Sequence, residues 1–156
     1  MMKRTGLALL AAFFLSASST LALTHMDDGE LLAGADLVAV GDAVSVQQGL
    51  ESTQTQVRLA QVLKGAARPG ELINIESQSG KVIIDESQPT FAALQLNLLF
   101  LQKTPTGYSC LNGADGQKVI RGKNIYPYHD NVSYSVPLET YLKTLEASAK
   151  AKRLSL

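Results

Sequence analysis

Cysteine is almost absent from this sequence of 156 residues, which contains Cys110 alone. A single cysteine cannot form an internal disulfide, so the fold has to be stabilised by the packing of apolar side chains. No cysteine lies near the N-terminal segment, where a lipid would be attached. The sequence therefore predicts neither a disulfide scaffold nor a lipid-anchored protein. For Cys110 we expect a small buried apolar side chain, with a reactive thiol or an intermolecular link as alternatives.

An excess of positive charge is also absent. The chain has 14 Lys and Arg residues against 14 Asp and Glu residues, and its basic cluster lies at the end, at Lys150, Lys152 and Arg153. Proteins that bind nucleic acids normally present a basic face that displaces several counterions from the phosphates. We therefore expect no nucleic-acid partner.

The common catalytic motifs are missing too. The sequence has no Gly-x-Ser-x-Gly, no His-Glu-x-x-His and no phosphate-binding loop, and its histidines are His25 and His129. A hydrolase needs a positioned nucleophile and a base, and such groups are scarce here. We interpret the protein as non-enzymatic. A small hydrolase around His129 and Asp130 stays open, because catalytic groups are assembled by the fold.

The N-terminal segment differs in character from the rest of the chain. Two basic residues precede an uncharged apolar run at 7–15, and small and polar residues follow at 16–22. This order is typical of a secretory signal peptide, whereas the run is shorter than the roughly 20 apolar residues of a membrane-spanning helix. We expect residues 1–22 to be a signal peptide that is cleaved after Ala22, or alternatively after Ser19.

Cleavage after residue 22 would leave a chain of 23–156, a suitable length for one domain. No second long apolar run occurs in this range. We therefore expect a periplasmic or secreted protein that has no membrane insertion after the signal peptide is removed.

The stretch Thr55–Gly65 predicts a bent strand. Val57 and Leu59 lie two residues apart and face one side, but the next apolar residue, Val62, breaks this alternation. A β-bulge at 60–61 restores the pattern and bends the strand. The final glycine suits a turn that requires positive φ. Such a strand is expected in a small barrel.

Further strands are predicted from alternating or β-branched apolar residues. They lie at 37–46, 71–76, 82–84, 91–101, 108–111, 117–121, 125–128 and 132–136. In the first of them, Asp42 falls in the apolar row. Because a buried carboxylate is costly, we expect a bulge at Gly41 that turns Asp42 outward.

The apolar stretch 91–101 fits either a helix or a strand. A turn at 105–107 and a second apolar segment follow it, which favours a strand that enters a hairpin. The strand interpretation places four side chains inside, namely Leu94, Leu96, Leu98 and Phe100. It places Gln95 and Asn97 outside.

Two helices are expected, one near each end of the domain. Asp27 suits the N-cap of a short first helix, with Glu30 three residues further on as in a capping box. At 137–152 an amphipathic helix is predicted from a stripe of Leu138, Tyr141, Leu142 and Leu145. The sequence therefore predicts one mainly β (α+β) domain at 23–156. We expect a small OB-like β-barrel with a short N-terminal helix and a C-terminal amphipathic helix.

The order of these segments resembles that of known exported proteins. A short helix is followed by Ala35–Gly41, Val57–Gly65, Leu98–Leu101 and a final amphipathic helix. This pattern resembles a group of uncharacterised exported bacterial proteins and, more distantly, the OB-fold barrels of netrin-like and metalloprotease-inhibitor-like modules. The resemblance implies an OB-like barrel over roughly residues 30–145. The inhibitors chelate the protease metal with an N-terminal cysteine, which this sequence lacks, so no inhibitory mechanism is implied.

One segment places aromatic rings, an imidazole and a carboxylate close together in the sequence. Tyrosine-rich loops can form recognition surfaces, and OB barrels bind ligands across a sheet face and its flanking loops. We predict that a protein or small molecule of the cell envelope is bound by Tyr126, Tyr128, His129, Asp130 and Tyr134. Because His-Asp-Asn is also a favourable turn, the alternative is that the tyrosines only cover the end of the barrel.

An envelope metal-binding protein is the alternative function. If cleavage follows Ala22, the new N-terminus is Leu23-Thr24-His25. Its free amine, two deprotonated backbone amides and the His25 imidazole can enclose Cu(II) or Ni(II) in a square plane, the geometry that these ions prefer. Apart from copper or nickel at His25, we expect no cofactor.

Overall fold

The computed structural model describes residues 25–78, 88–129 and 131–154. The predicted signal peptide, the predicted strand at 82–84 and Asp130 lie outside the described residues. In chain order the elements are α1 (Asp28–Gly34), β1 (Leu37–Gln48), β2 (Ser52–Lys64), β3 (Leu72–Gln78), β4 (Leu96–Thr104), β5 (Gly107–Cys110), a short 3₁₀ helix (Gly113–Gly116), β6 (Gln117–Arg121), β7 (Asn124–Tyr126), β8 (Val136–Pro137) and α2 (Leu138–Leu154).

Five of the strands form a closed barrel. The hydrogen-bonded order is β1-β2-β3-β5-β4, and β4 pairs with β1 to close the ring. The pairing of β3 with β5 is parallel, at Ile75 and Tyr108, and the other barrel pairs are antiparallel. This arrangement is compatible with an OB-like fold. The predicted class, a mainly β domain with a short helix near the N-terminus and a C-terminal helix, is confirmed.

The bulge predicted in β2 is present, whereas the one predicted at Gly41 of β1 is not, since the extra residue of β1 is Val44. Val40 pairs with Gln61 and Gly41 pairs with Leu59, so Ala60 is the extra residue of β2. A Cβ atom on Gly41 would lie 2.6 Å from Val57 Cγ1 and 2.8 Å from the Arg58 carbonyl oxygen, so the close approach of the two strands requires glycine there.

Asp42 points outward, as predicted, but no bulge turns it: β1 pairs regularly with β4 from Val40 to Asp42, so Asp42 lies on the same outer side of the wall as Val40. Its Oδ2 accepts a hydrogen bond of 2.9 Å from Arg58 Nη2. The carboxylate is therefore paired in a partly exposed position, and the cost of burying an unpaired charge does not arise.

β4 is extended, so the strand interpretation of this stretch is confirmed from Leu96 onward. One edge of β4 pairs with β1 and the other with β5 and β6. Leu98 and Phe100 face one apolar cluster, whereas Leu99 and Leu101 face another. Being paired on both edges and covered on both faces, β4 is apolar without strict alternation.

Three predicted orientations near the start of β4 are wrong, and one of them is that of Leu96, which was predicted inside and is 38% exposed. Leu94, predicted inside, precedes the strand, has φ 64° and is 78% exposed. Asn97, predicted outside, is fully buried. Its side chain is satisfied there, since its Nδ2 donates to the Gln95 carbonyl oxygen (3.0 Å) and its Oδ1 accepts from Gln117 Nε2 (3.1 Å). Its polar atoms therefore have partners, which makes burial tolerable.

The core has two parts, separated by the barrel wall. The inner part fills the barrel with side chains from β1 to β5, among them Val57, Ile75 and Leu99. The outer part lies between the barrel wall and the helices, and it includes Leu31 of α1, Phe100 of β4 and Leu145 of α2. The two helices therefore stabilise the outer side of the wall rather than its interior.

Helix α1 begins as predicted, whereas α2 begins at Leu138, one residue later than predicted, because Pro137 belongs to β8. Glu30 N donates to Asp27 Oδ1 (2.8 Å) and Asp27 N donates to Glu30 Oε2 (2.9 Å), which completes the capping box of α1. The stripe of α2 packs on the outer core, with Leu145 buried and Leu138, Tyr141 and Leu142 partly buried. Within the described ranges, no helix is long and apolar enough to span a membrane.

The strands predicted at 125–128 and 132–136 are present only as short segments that pair with each other. β7 and β8 form two residue pairs, Asn124 with Pro137 and Ile125 with Val136. The chain between them, which the structure describes at 127–129 and 131–135, is a loop rather than a strand. This loop carries most of the candidate site.

Cys110 lies inside the barrel and is 8% exposed, which confirms the prediction of a buried apolar side chain. Burial raises the pKa of its thiol from 9.0 to about 12, because the apolar surroundings disfavour the thiolate.

The thiol of Cys110 should therefore react slowly with thiol reagents in the native protein. At about pH 8 we expect a rate roughly a thousandfold lower than in the unfolded chain, because each pKa unit lowers the thiolate population about tenfold. The rate is measured with an aromatic disulfide reagent, from the absorbance of the thiolate that it releases on reaction with Cys110. The protein in concentrated urea is the control. A native rate close to that in urea would contradict the burial of this thiol.

Candidate functional site

A cleft of about 210 Å³ opens between the outer face of β6 and the loop that follows β7. We call it the aromatic cleft. Its floor is formed by Gln117, Val119 and Arg121, and its wall by Tyr126, Tyr128, His129 and Val132. Gln88, Thr90 and Ala114 complete its lining. Since successive residues of a strand point to opposite faces, the alternate residues 117, 119 and 121 all face the cleft.

The structure brings most of the predicted site residues together. Tyr126, Tyr128 and His129 line the aromatic cleft. Tyr134 does not line it, but its ring packs on that of Tyr128, with 5.5 Å between the centroids and 39° between the planes. Tyr128 and Tyr134 are 44% and 46% exposed, so both rings are accessible to a partner.

Asp115 is the centre of the polar contacts beside the aromatic cleft, and the sequence did not indicate it. Its side chain is 7% exposed. Oδ2 accepts hydrogen bonds from Met26 N (3.0 Å) and Asn112 Nδ2 (2.8 Å). Oδ1 lies 3.0 Å from His25 Nδ1 and 3.5 Å from His129 Nδ1. One buried carboxylate thus positions both histidines of the sequence.

The turn that carries Asp115 depends on close backbone contacts. Asn112 adopts the left-handed conformation, with φ 54°, and a 3₁₀ helix follows at Gly113–Gly116. A Cβ atom on Gly116 would lie 2.4 Å from the Leu111 carbonyl oxygen and 2.9 Å from that of Phe100. The sequence indicated a turn here. Asp115 is buried because this turn packs against Phe100 of β4. The sequence alone does not show this tertiary contact.

Lys118 supports the site from the side of β6 opposite the aromatic cleft. Its side chain is 3% exposed, and its Nζ donates to the carbonyl oxygens of Pro127 (2.9 Å) and Asp115 (3.2 Å). The Asp28 carboxylate of α1 lies 3.5 Å from the same nitrogen. Burial lowers the pKa of Lys118, and the carboxylates of Asp28 and Asp115 oppose this shift. Lys118 thus connects the 3₁₀ helix, the cleft loop and α1.

Gln117 fixes the opposite rim of the aromatic cleft. Its Nε2 donates to the Thr90 carbonyl oxygen (2.7 Å), and its Oε1 accepts from Thr90 N (2.9 Å). This paired contact between an amide side chain and the backbone resembles one rung of a sheet. The cleft therefore has a fixed floor and rim, as expected of a largely preformed binding site.

Arg121 contributes a positive charge to the aromatic cleft. Its guanidinium carbon lies 5.1 Å from the centroid of the Tyr126 ring, within the range of a cation–π contact. Alternation along β6 places Arg121 on the same side of the strand as Val119. This alternation is the feature of the sequence from which the position of Arg121 in the cleft could have been predicted. In the ranges that the structure describes, no carboxylate forms an ion pair with Arg121.

The predicted copper or nickel site lies only partly in the described residues, which begin at His25. The imidazole nitrogen closest to its own backbone, Nδ1, is the one that would complete the square plane. In the structure His25 Nδ1 contacts Asp115 Oδ1 at 3.0 Å, so a metal would have to displace this contact. Over the residues that are described, no group of three His, Cys, Asp or Glu side chains is arranged to hold a metal ion. Copper or nickel binding at His25 stays a prediction.

The predicted hydrolase centre is likewise only partly described, because Asp130 lies outside the described residues. The carboxylate that contacts His129 is that of Asp115. No hydroxyl group within the described part of the chain hydrogen-bonds to His129. A hydrolase at His129 stays a prediction without a described nucleophile.

A second depression lies on the outer face of β1, β2 and β3. It is lined by Ser45, Gln47, Gln54, Gln56 and Asn74. These side chains offer hydrogen bonds but no aromatic surface and no charge. The aromatic cleft therefore has the richer recognition chemistry of the two.

Fold and site together define the class of molecule as a closed five-stranded β-barrel with covering helices and an aromatic cleft. No protein family model matches the chain, and a comparison with curated proteins finds no match.

Proposed function

We propose that the protein is an exported, non-enzymatic binding module of the cell envelope, and that it binds its partner in the aromatic cleft. The observation that carries the proposal is that Tyr126, Tyr128 and His129, which are neighbours in the sequence, line one accessible cleft with a charged residue at its floor. Concave sites with apolar and aromatic walls and few polar groups are typical of ligand binding.

The way in which the aromatic cleft is held supports the same proposal. Lys118 fixes the start of the loop through Pro127, Gln117 fixes the opposite rim through Thr90, and Asp115 contacts His129. A preorganised site loses less conformational entropy when it binds. The polar network is thus accounted for by a binding surface, without any catalytic role.

We also propose a relationship to the exported OB barrels that resemble netrin-like and metalloprotease-inhibitor-like modules. The strand order and the closing pair of β1 with β4 support it, since both are compatible with an OB-like fold. The proposal does not extend to protease inhibition, because the sequence has no N-terminal cysteine.

The proposed function is tested by photo-crosslinking in cells that export the protein. A photoreactive amino acid replaces Val132, which lines the aromatic cleft and is 70% exposed. We expect a discrete adduct, of a protein or a small molecule, in the envelope fraction by mass spectrometry. The adduct should decrease at least about tenfold when Tyr128→Ala removes the central ring, since aromatic anchors often contribute 2 kcal/mol or more.

The matched control places the same photoreactive group at Leu72, which is 56% exposed and does not line the aromatic cleft. It should give no such adduct. If the Val132 and Leu72 positions capture the same molecules, or if the Val132 adduct is unchanged by Tyr128→Ala, the cleft is not the binding site and the proposal fails.

A further inference from the structure

We infer that the ligand of the aromatic cleft is a small carboxylate with a flat apolar body, and that Arg121 binds its carboxylate group. This inference rests on the proposed binding function and specifies the class of ligand. The protein would then recognise an organic acid, such as an aromatic acid, rather than a neutral or cationic molecule.

The first argument is the set of contacts that the Arg121 side chain makes. Some described basic residues pair with a carboxylate, for example Arg58 with Asp42 (2.9 Å) and Lys143 with Glu139 (2.8 Å), whereas Arg121 is among those that have no carboxylate partner within the described residues. Arg121 instead lies over the Tyr126 ring at 5.1 Å. A cation–π contact uses the charge of the guanidinium group and not its N–H donors, and these donors can bind a carboxylate by two parallel hydrogen bonds.

The shape and the lining of the aromatic cleft are the second argument. Val119, Val132 and Tyr128 provide apolar surface in the same cleft that contains Arg121 and His129. Its volume of about 210 Å³ lies below the roughly 300–1,000 Å³ of sites for drug-sized ligands. The space suits one ring with one polar group.

The electrostatic setting is the third argument. Arg121 is the charged side chain among the described lining residues, and His129 can add a donor. The carboxylate of Asp115 is buried, and each of its oxygens is engaged by donors or by the histidines. An incoming anion therefore meets the guanidinium group of Arg121 directly, and electrostatic complementarity favours an anion over a cation of the same shape.

Three probes of one shape test the inference, namely benzoate, benzamide and benzamidine, which are anionic, neutral and cationic. Binding is followed by two-dimensional ¹H–¹⁵N NMR of the exported protein. We expect benzoate to shift the amide signals of Arg121, Tyr126 and Tyr128, with a Kd on the order of 1 mM for so small a ligand. Benzamide and benzamidine should bind at least about tenfold more weakly, because neither has a carboxylate to accept charged hydrogen bonds from Arg121 and the cationic benzamidine is also repelled by it.

Substitution of the guanidinium group makes the test specific. Arg121→Gln should weaken benzoate binding at least about tenfold and remove the preference for benzoate over benzamide. Arg68→Gln is the matched control, because Arg68 is exposed and does not line the aromatic cleft. It should leave benzoate binding unchanged. The same spectra report whether each variant is folded.

The outcomes separate this inference from the proposed function. If benzoate and benzamide bind the aromatic cleft equally, the cleft is a binding site and the inference about the carboxylate is overturned. If benzoate shifts no cleft signals, or shifts them equally in Arg121→Gln, the inference is also overturned. The crosslinking result at Val132 decides the proposed function independently of these probes.

Discussion

Replacing Phe100 with alanine should lower the free energy of unfolding by about 3–5 kcal/mol, the usual cost of deleting a buried aromatic side chain. Phe100 is fully buried in β4, in the outer core between the barrel wall and the helices. Its ring also lies below the Lys118 ammonium group, at 5.9 Å from centroid to Nζ. The substitution would remove apolar contacts from the outer core and leave a cavity next to a buried charge.

Urea unfolding followed by circular dichroism measures this loss. Phe91→Ala is a suitable control, since Phe91 is only partly buried against the inner core. We expect a cost of about 1–2 kcal/mol for it, because less apolar area is removed from a site that can relax. Similar losses for both variants would show that the outer core does not depend on Phe100 as the structure indicates.

The sequence was informative about features that depend on neighbouring residues. The bulge at Ala60 follows from a break in period-two alternation, and the start of α1 follows from the spacing of Asp27 and Glu30. These signals depend on residues close together in the sequence, so tertiary contacts do not alter them.

The orientation of residues around β4 was not predictable in the same way. The prediction for Leu94 is wrong because alternation does not extend upstream of the strand start, and the predictions for Leu96 and Asn97 are wrong because the polar residue of this pair is the buried one. The true start at Leu96 and the burial of Asn97 depend on β6, whose Gln117 supplies a partner from a distant part of the chain. A polar residue in an apolar stretch is therefore ambiguous until its partner is known.

In the candidate site, too, local features were predictable from the sequence and tertiary contacts were not. The tyrosines and His129 were predicted from their closeness in the sequence, and three of these residues line one cleft. Asp115, Lys118 and Arg121 were not predicted. Their roles arise where β6, the 3₁₀ helix, the loop after β7 and the residues before α1 meet, and that meeting is set by the pairing of β4 with β6.

β6 connects the core to the site, because its residues alternate between the two. Val119 and Arg121 face the aromatic cleft, whereas Ile120 belongs to the outer core and Lys118 lies over Phe100. A change in core packing is thus expected to reach the cleft across one strand. Substitutions that disturb the turn before β6 should affect stability and the position of the site residues together.

Gly116→Ala is expected to show this coupling most directly. The added Cβ would lie 2.4 Å from the carbonyl oxygen of Leu111 and 2.9 Å from that of Phe100, and backbone atoms in a packed turn cannot easily move away. We expect a loss of about 3 kcal/mol in the free energy of unfolding, at the upper end of the cost of overpacking. The ¹H–¹⁵N NMR signals of Tyr128 and His129 should shift as well, because the turn also carries Asp115.

Gly34→Ala separates the effect of position from that of the added methyl group. Its Cβ would contact the same neighbour, Leu111, but at the end of the flexible side chain, 3.1 Å from Cδ2. Gly34 also ends α1, where alanine is a better helix former than glycine by about 1 kcal/mol. This gain should offset the cost of the close contact with the Leu111 side chain, so we expect a change in the free energy of unfolding close to zero. If Gly116→Ala were as mild as Gly34→Ala, or left Tyr128 and His129 undisturbed, the turn would not be what holds Asp115 and the aromatic cleft in place.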